Sequence, residues 1–120
     1  MDAAAAAALK TDKVIDITTT GRQSGEARRI EIWFHHLDER YFITGRPGRR
    51  SWYANLVAHP EFTFHLKEGA QADLPANARA IIEDTERREV LTTLVANIGG
   101  DQSLDEWLSG APLIEVTFKD

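Results

Sequence analysis

The feature that most constrains the fold of this chain is a repeated alternation of apolar and polar residues in short segments. Through Arg28–His36, every second residue is an isoleucine or phenylalanine, so these side chains share one face of an extended chain. The same period of two returns in Glu61–Lys67 and in Pro112–Lys119. This period is typical of half-buried strands, so the pattern predicts a largely β structure.

Turn residues directly follow most of the predicted strands. The pair Asp38-Glu39, for example, separates two strand patterns and predicts a β-hairpin. Neighbouring strands joined by such short turns are antiparallel. Proline cannot donate a backbone hydrogen bond, so Pro75 predicts a bulge or an edge position in the strand from Ala70 to about Ile82. The six predicted strands are Val14–Thr20, Arg28–His36, Arg40–Thr44, Glu61–Lys67, Ala70 to about Ile82, and Pro112–Lys119.

Capping signals predict two or three short helices at the periphery of these strands. Alanine is the strongest helix former, so residues 1–13, which contain six consecutive alanines, form an N-terminal helix or tail. The predicted caps and helices are Ser51 before Trp52–Ala58, Asp84 at the start of a helix to about Asn97, and Ser103 in a capping box before a last short helix.

About six antiparallel strands in 120 residues must curl to cover their apolar face. The expected fold is therefore mainly β (α+β), a small barrel with peripheral helices that forms a single domain over residues 1–120. The chain has no cysteine, which excludes disulfides and thiolate zinc sites. It also lacks a basic leader and any apolar run near ~20 residues, so we expect a cytoplasmic protein without a membrane span.

Charge is distributed unevenly along the sequence. The net charge of −5 argues against a nucleic-acid partner. Between Gly21 and Arg50, however, seven arginines outnumber four acidic residues. This excess predicts a local site for a small anion, although a solvated face of salt bridges remains an alternative.

Two loops that follow strands combine glycines with arginines. In Thr18–Arg28, the glycines allow backbone N–H groups to converge on an anion, and Arg22, Ser24 and Arg28 add side-chain donors. The loop Thr44–Trp52 repeats this chemistry and leads into a predicted helix N-terminus, which favours anions. The aromatic residues that could wall a planar ring nearby are Trp33, Trp52 and Tyr53.

Side chains suited to catalysis are scarce. His35 and His36 are neighbours on a strand, so they point to opposite faces and do not share a metal ion. His65 is expected on an outward strand face. No metal site and no catalytic residue is therefore predicted, and an anion-binding cradle with few acids or bases indicates that a cofactor carries the chemistry.

The two loops and their spacing resemble the deazaflavin (F420)-dependent nitroreductase family, within the split β-barrel flavin/deazaflavin oxidoreductases. The matching motifs are Thr18–Arg28, then Gly45-Arg-Pro-Gly48, then Trp52–Leu56 and His59-Pro60. The resemblance extends over roughly Ile15 to Ile82. It implies a split barrel that holds coenzyme F420, whose phosphodiester and polyglutamate tail both need cationic partners.

The resemblance also implies roles for individual residues. In the family, the equivalent positions contact the phosphate and acidic tail, flank the deazaflavin ring, or line the pocket and the tail groove. Carried over to this chain, they are Arg22, Ser24, Arg28 and Arg46 at the phosphate and tail, Thr44 and Gly45 beside the ring, Trp33 in the pocket, and Trp52 and Asn55 along the groove.

The activity implied is hydride transfer from reduced F420 to a small electron-poor acceptor such as a quinone, an enone or a nitro compound. Gln23 replaces a lysine and Glu31 a proline that are common in the family, and Trp107 stands alone where the nitroreductase prototype has several tyrosines. FMN in place of F420, a non-catalytic carrier of an apolar ligand such as a fatty acid, and a structural interaction module remain alternatives. Split barrels often dimerise, which favours a homodimer.

Overall fold

The computed structural model describes residues 1–119, and it confirms a mainly β fold built from one curled antiparallel sheet. Seven strands occur in the described chain, in the spatial order β2-β1-β5-β6-β7-β4-β3. The strands are β1 (Val14–Thr20), β2 (Ala27–Trp33), β3 (His35–Leu37), β4 (Arg40–Thr44), β5 (Glu61–Leu66), β6 (Ala72–Ala80) and β7 (Leu113–Phe118). The helices are α1 (Ala3–Thr11), α2 (Ser51–Ala58), α3 (Asp84–Ile98) and α4 (Leu104–Gly110).

The segment predicted as one strand over Arg28–His36 is two strands at opposite edges of the sheet. The chain leaves β1 at Phe34, which is buried and whose backbone N–H donates to the Lys13 carbonyl at 2.9 Å. His35 then pairs with Phe42 in β4. Alternation continues across the break because Phe34 still points into the core. Since one segment supplies both edges, the sheet curls into a split barrel.

The inside of the curl is filled by a first apolar core. Ile15, Ile17 and Phe64 are completely buried there, with α1 and α2 packed against the ends of the barrel. The N-terminal segment is a helix rather than a tail, because Ala5, Ala8 and Leu9 contribute to this core; other members are Phe34, Ile43, Trp52, Leu56, Phe62, Leu66, Ala76, Ile114 and Val116.

A second core lies on the outer face of β4 and β7, where α3 and α4 pack. Leu91, Leu94 and Trp107 of these helices cover Phe42 and Leu113 of the sheet. This arrangement places the C-terminal end of α3 and the start of α4 near the end of β4, where the loop over residues 45–50 begins. No helix in residues 1–119 has the length and apolarity needed to cross a membrane.

A group of four charged side chains fixes the start of α3 to the sheet. Arg79 donates to both Glu86 in α3, at 2.7 and 2.8 Å, and Glu115 in β7, at 2.6 Å. Arg40 joins the same two carboxylates at 3.1 and 2.7 Å. The hydrogen bond from Arg40 holds the pKa of Glu115 below its usual range, and that from Arg79 does so for Glu86.

Two predicted helix caps were wrong and one is confirmed. Ser51 is the first residue of α2, preceded by Arg50 without a side-chain cap. Glu83 rather than Asp84 caps α3, and its carboxylate accepts from the N–H groups of Thr85 and Glu86 in the first turn. Ser103 caps α4 as predicted, accepting from the Glu106 N–H.

Pro75 lies in a central strand, but at a point where one neighbour has ended. β6 pairs with β5 on one side, with Pro75 opposite Thr63. On its other side, the pairing with β7 begins only at Ala76. The missing N–H of the proline is therefore tolerated at a local edge.

The predicted hairpin turn at Asp38-Glu39 is present between β3 and β4, and Asp38 has a φ of 54°.

Candidate functional site

The loop between β1 and β2 forms a compact cradle. The Gly21 N–H donates to the Glu26 carbonyl at 2.8 Å, and the Gly25 N–H donates to the Gly21 carbonyl at 2.9 Å. Gly25 has a φ of 71°, a conformation that favours glycine. A Cβ atom on Gly21 would lie 2.5 Å from Ser24 Oγ, so any larger residue there would displace the Ser24 side chain.

Asn55 in α2 clamps this loop to the helix. Its side chain is 6% exposed, and its Oδ1 accepts hydrogen bonds from both the backbone N–H and the guanidinium of Arg22, at 3.1 and 3.2 Å. Its Nδ2 donates to Thr19 Oγ1 at 3.4 Å. Asn55, predicted as a groove residue, therefore also orients the first arginine of the cradle.

Beside this clamp lies a cavity of about 440 Å³, here called cavity 1. It brings together five predicted site residues, and the N-terminal end of α2 adds the positive end of a helix dipole. The guanidinium of Arg28 has only a 3.8 Å contact with the exposed Glu26 carboxylate, so its charge remains available. The residues that line cavity 1 are Thr19, Gly21, Arg22, Gln23, Ser24, Arg28, Ile30, Ser51, Trp52 and Asn55.

Ile30 shows that cavity 1 lies on the inner face of the sheet. It pairs with the buried Ile17 and shares its face, yet it is 36% exposed because no helix covers this part of the curl. Arg28 follows on the same face, opposite Thr19. Cavity 1 thus combines cationic and hydroxyl groups at one end with apolar surface further along β2.

A second cavity, of about 490 Å³ and here called cavity 2, contains the other four predicted residues. Thr44 is buried, and its hydroxyl donates to the Pro112 carbonyl at 2.6 Å, which fixes the end of β4. Trp33 is 56% exposed at the wall. The residues that line cavity 2 are Lys10, Thr11, Asp12, Lys13, Trp33, Phe34, His35, His36, Thr44, Gly45, Arg46, Leu94, Asn97, Ile98, Gln102 and Trp107.

The two cavities share the same two chain segments. On one side, β2 runs from Ile30 in cavity 1 to Trp33 in cavity 2, three residues or about 10 Å of strand. On the other side, Thr44, Gly45 and Arg46 line cavity 2, whereas Ser51, Trp52 and Asn55 line cavity 1. The cavities thus neighbour one another along the chain, and Ile30 and Trp33 enter them from opposite faces of β2.

The arginines of the second basic loop, residues 45–50, are divided between two cavities. Arg50 donates to the carbonyls of Arg49 and Arg46, both at 3.0 Å, and so holds the loop together. Arg49, Arg50 and the predicted ring wall Tyr53 line a third cavity, of about 530 Å³. Arg46 lies in cavity 2, and Tyr53 lines neither of the first two cavities.

Sequence reasoning missed most of the wall of cavity 2. Leu94, Ile98 and Gln102 come from α3 and the start of α4, far along the chain from the two glycine-containing loops. Lys10 and Lys13 come from the end of α1 and the residues after it. The one sequence feature that pointed to this wall was Trp107, the single aromatic residue in Gln102–Ala111. Its indole N–H donates to Gln102 Oε1 at 3.1 Å.

Two histidines differ from their expected surroundings. Burial, and to a lesser degree the charge of Lys13, lowers the pKa of His35 at the wall of cavity 2. His65 points away from the barrel core as expected, but it is only 6% exposed. Its ring forms hydrogen bonds with Thr18 Oγ1 at 2.7 Å and with Asp73 Oδ1 at 2.6 Å. The hydrogen bond between His65 and Asp73 lowers the pKa of Asp73.

Several solved structures share this fold. A protein described as the F420-H2 dependent reductase FDR-A is 21% identical, with a TM-score of 0.58 over 88% of this chain and 95% of that chain. A FAD-binding protein from Mesorhizobium loti is 12% identical, with a TM-score of 0.65 over 100% and 91%. A protein described as a domain-swapped dimer is 23% identical, with a TM-score of 0.58 over 88% and 81%. At these identities the likeness establishes the split-barrel fold.

The sequence itself identifies the family. No curated protein matches the chain. The family model described as F420H(2)-dependent quinone reductase, however, matches residues 1–115, almost the whole chain. The predicted resemblance to the deazaflavin-dependent split barrels is thereby confirmed. The chain belongs to the F420H(2)-dependent quinone reductase family, and it is a reductase whose cofactor is coenzyme F420.

Proposed function

We propose that this reductase transfers a hydride from reduced F420, bound along cavities 1 and 2, to a small quinone. The observation that carries the proposal is the pair of cavities at neighbouring positions along β2, one rich in anion-binding groups and the other walled by aromatic residues. An enone or a nitro compound is a weaker candidate for the acceptor. The family model favours a quinone, and Gln102–Ala111 contains no tyrosine.

Cavity 1 fits the anionic part of the cofactor. Arg22 and Arg28 supply guanidinium groups that can each make two parallel hydrogen bonds to a phosphate or carboxylate. Ser24 adds a hydroxyl donor, and Gly21 leaves the space that a side chain would fill. Trp52 and Asn55 form the wall on the α2 side. These donors match the phosphodiester and the acidic tail of F420.

Cavity 2 fits the planar ring and the acceptor. The backbone at Thr44 and Gly45 forms one side, held in place by the Thr44–Pro112 hydrogen bond. Trp33 offers an aromatic face to a ring, and Trp107 closes the far wall. Bound there, the reduced cofactor supplies a hydride. The protein orients the acceptor over the ring and excludes water from the reacting atoms.

A binding titration tests the cofactor assignment. We expect purified protein to bind F420 more tightly than FMN or FAD, with an affinity that falls as salt rises. Arg28→Ala should weaken F420 binding about 10-fold or more, as expected for a lost charge-assisted hydrogen bond. The matched control is Arg29→Ala, since Arg29 lies on the opposite face of β2 and pairs with Asp16 at 3.0 Å.

The other outcomes of this titration are equally informative. A preference for FMN would keep the fold and the redox chemistry while replacing the cofactor in cavities 1 and 2. Equal losses for Arg28→Ala and Arg29→Ala would show that general charge, and not the cradle, binds the cofactor. Binding of none of the three cofactors would overturn the proposal and favour a carrier of an apolar ligand.

A homodimer is the assembly we propose for this chain. It is supported by the structural relative that is described as a domain-swapped dimer. Sedimentation equilibrium over a range of concentrations, with and without F420, tests this assembly. A mass that stays at 13.4 kDa throughout would contradict it.

A further inference from the structure

Cavity 2 contains one half-buried side chain whose hydrogen-bonding capacity the fold leaves unused. Four polar side chains that line it are buried or half-buried, and His35 is one of them. Its ring forms no hydrogen bond to any group in residues 1–119. The other three form hydrogen bonds within the protein, between Thr44 and Pro112, Asp12 and Gly69, and Gln102 and Trp107.

His35 also lies close to the proposed position of the ring. It pairs with Phe42, and Thr44 is two residues further along β4, so all three share one face of the sheet. Two residues of strand correspond to about 7 Å. This face is covered by Leu94 and Trp107, so the imidazole stands beside an apolar wall rather than in open solvent.

The surroundings of His35 favour the neutral form of its ring. The titratable side chains of cavity 2 are Lys10, Asp12, Lys13, His36 and Arg46, whereas the α3 and α4 side chains that line it are uncharged. Burial and the charge of Lys13 together lower the pKa of His35. A neutral imidazole offers one N–H donor and one acceptor nitrogen.

We infer that the His35 imidazole donates a hydrogen bond to a carbonyl oxygen of the quinone acceptor in cavity 2. This inference rests on the proposed function. The hydride forms an O–H bond at one quinone oxygen, the ring becomes aromatic, and the electron pair of the other C=O bond moves onto its oxygen. The quinone is reduced by two electrons and the cofactor is oxidised by two. His35 stabilises the resulting phenolate oxygen, which then takes a proton from water to give the hydroquinone.

Single-turnover kinetics with menadione as the quinone test this role. The enzyme is loaded with reduced F420, and the rate of hydride transfer is followed for three variants. His35→Phe removes the donor and should slow the reaction about 100-fold, the lower end of the range for a lost oxyanion donor. His35→Gln keeps an N–H donor and should retain most of the rate. His59→Gln changes an exposed histidine outside the three cavities described above and is the matched control.

The pH dependence separates His35 from a purely structural role. Protonation makes the imidazole a stronger donor, so the wild-type rate should rise as the pH falls below about 6.5, the ordinary histidine value. His35→Gln should lack this rise, whereas His59→Gln should keep it. If His35→Phe fails to fold, comparing the pH–rate profiles of the two glutamine variants still tests whether His35 donates to the acceptor.

A second readout does not depend on turnover. Menadione binding to the cofactor-free protein can be followed by quenching of the tryptophans at cavity 2, and His35→Phe should weaken it about two- to tenfold, as expected for one hydrogen bond. Unchanged rates and binding in His35→Phe would overturn the inference while leaving quinone reduction intact. If the wild-type protein binds F420 but does not reduce menadione, the quinone assignment itself fails.

Discussion

Asn55 illustrates how much of the loop between β1 and β2 depends on single residues. One buried amide holds both the backbone and the guanidinium of Arg22. The sequence motif predicted that Asn55 belongs to the site, but its role as a clamp depends on α2 packing against β1, which no local pattern reveals. Residues that are close in sequence, such as Arg22, Ser24 and Arg28, were predicted together because the loop alone brings them together.

Gln23 provides a test in which affinity should increase. It is exposed and lines cavity 1 between cationic neighbours, so Gln23→Lys adds a positive charge facing the proposed phosphate and tail. We expect F420 to bind about two- to fivefold more tightly at low salt, the range of an exposed ion pair. Calorimetric titrations at low and high salt measure both the gain and its screening.

The opposite substitution controls for effects of size at this position. Gln23→Glu has nearly the same shape as the wild-type residue but carries a negative charge, so it should weaken F420 binding. An equal gain in both variants would show that the contact at residue 23 is not electrostatic, and would remove the charge argument for this side of cavity 1.

At the scale of elements, the sequence predicted the strands better than their pairing. The period of two correctly identified the extended chain through Arg28–His36, yet the chain changes partner from β1 to β4 at Phe34. The alternation of apolar and polar residues predicts which face of the sheet a side chain occupies, but not which strand it pairs with. Phe34, between β2 and β3, lies on the inner face, so the alternation continues through the change of partner. The change of partner is determined by contacts with Lys13 and with β4, which are tertiary.

The contact between α3 and the sheet should depend on pH. Arg40 and Arg79 lower the pKa values of Glu115 and Glu86, so the folded state favours the ionised carboxylates. Their stabilisation is full above the usual carboxylate pKa of about 4.3 and is lost as the pH falls below it. Urea unfolding from pH 7 to pH 3 should show this loss.

Substitution of Glu115 isolates its share of that stability. Glu115→Gln should lower the free energy of unfolding by about 1–3 kcal/mol at pH 7 and by much less at pH 3. Glu106→Gln is the control, since Glu106 forms no ion pair within residues 1–119 and should change stability by less than about 0.5 kcal/mol. A pH-independent difference between Glu115→Gln and the wild type would exclude the ionic contribution.

At the scale of the whole molecule, the fold class was predictable and the wall of cavity 2 was not. Antiparallel alternation in 120 residues limits the chain to a small curled sheet, whatever the details of its turns. Cavity 2, by contrast, is closed by α1, α3 and α4, whose positions follow from two apolar cores that form only when the sheet has curled. Lys10 and Trp107 are therefore neighbours of one cavity without any shared sequence signal.

The packing of α1 should make the whole molecule unfold as one unit. Leu9 is 2% exposed in the first core, so Leu9→Ala should lower the free energy of unfolding by about 2–4 kcal/mol. Val57→Ala, at an exposed position of α2, should change it by less than about 0.5 kcal/mol. Urea transitions followed by far-ultraviolet circular dichroism and by tryptophan fluorescence should coincide. Separate transitions would contradict cooperative unfolding.

The exposed strand β2 has a consequence for the behaviour of the protein in concentrated samples. It is an edge strand of seven residues that pairs only with β1 in the described chain, and such edges recruit other chains into intermolecular sheets. Arg28, Arg29 and Glu31 place charges along it, which discourages that association. The arginine that we propose for the cofactor's anions thus also limits aggregation, so light scattering should accompany every affinity measured with Arg28→Ala.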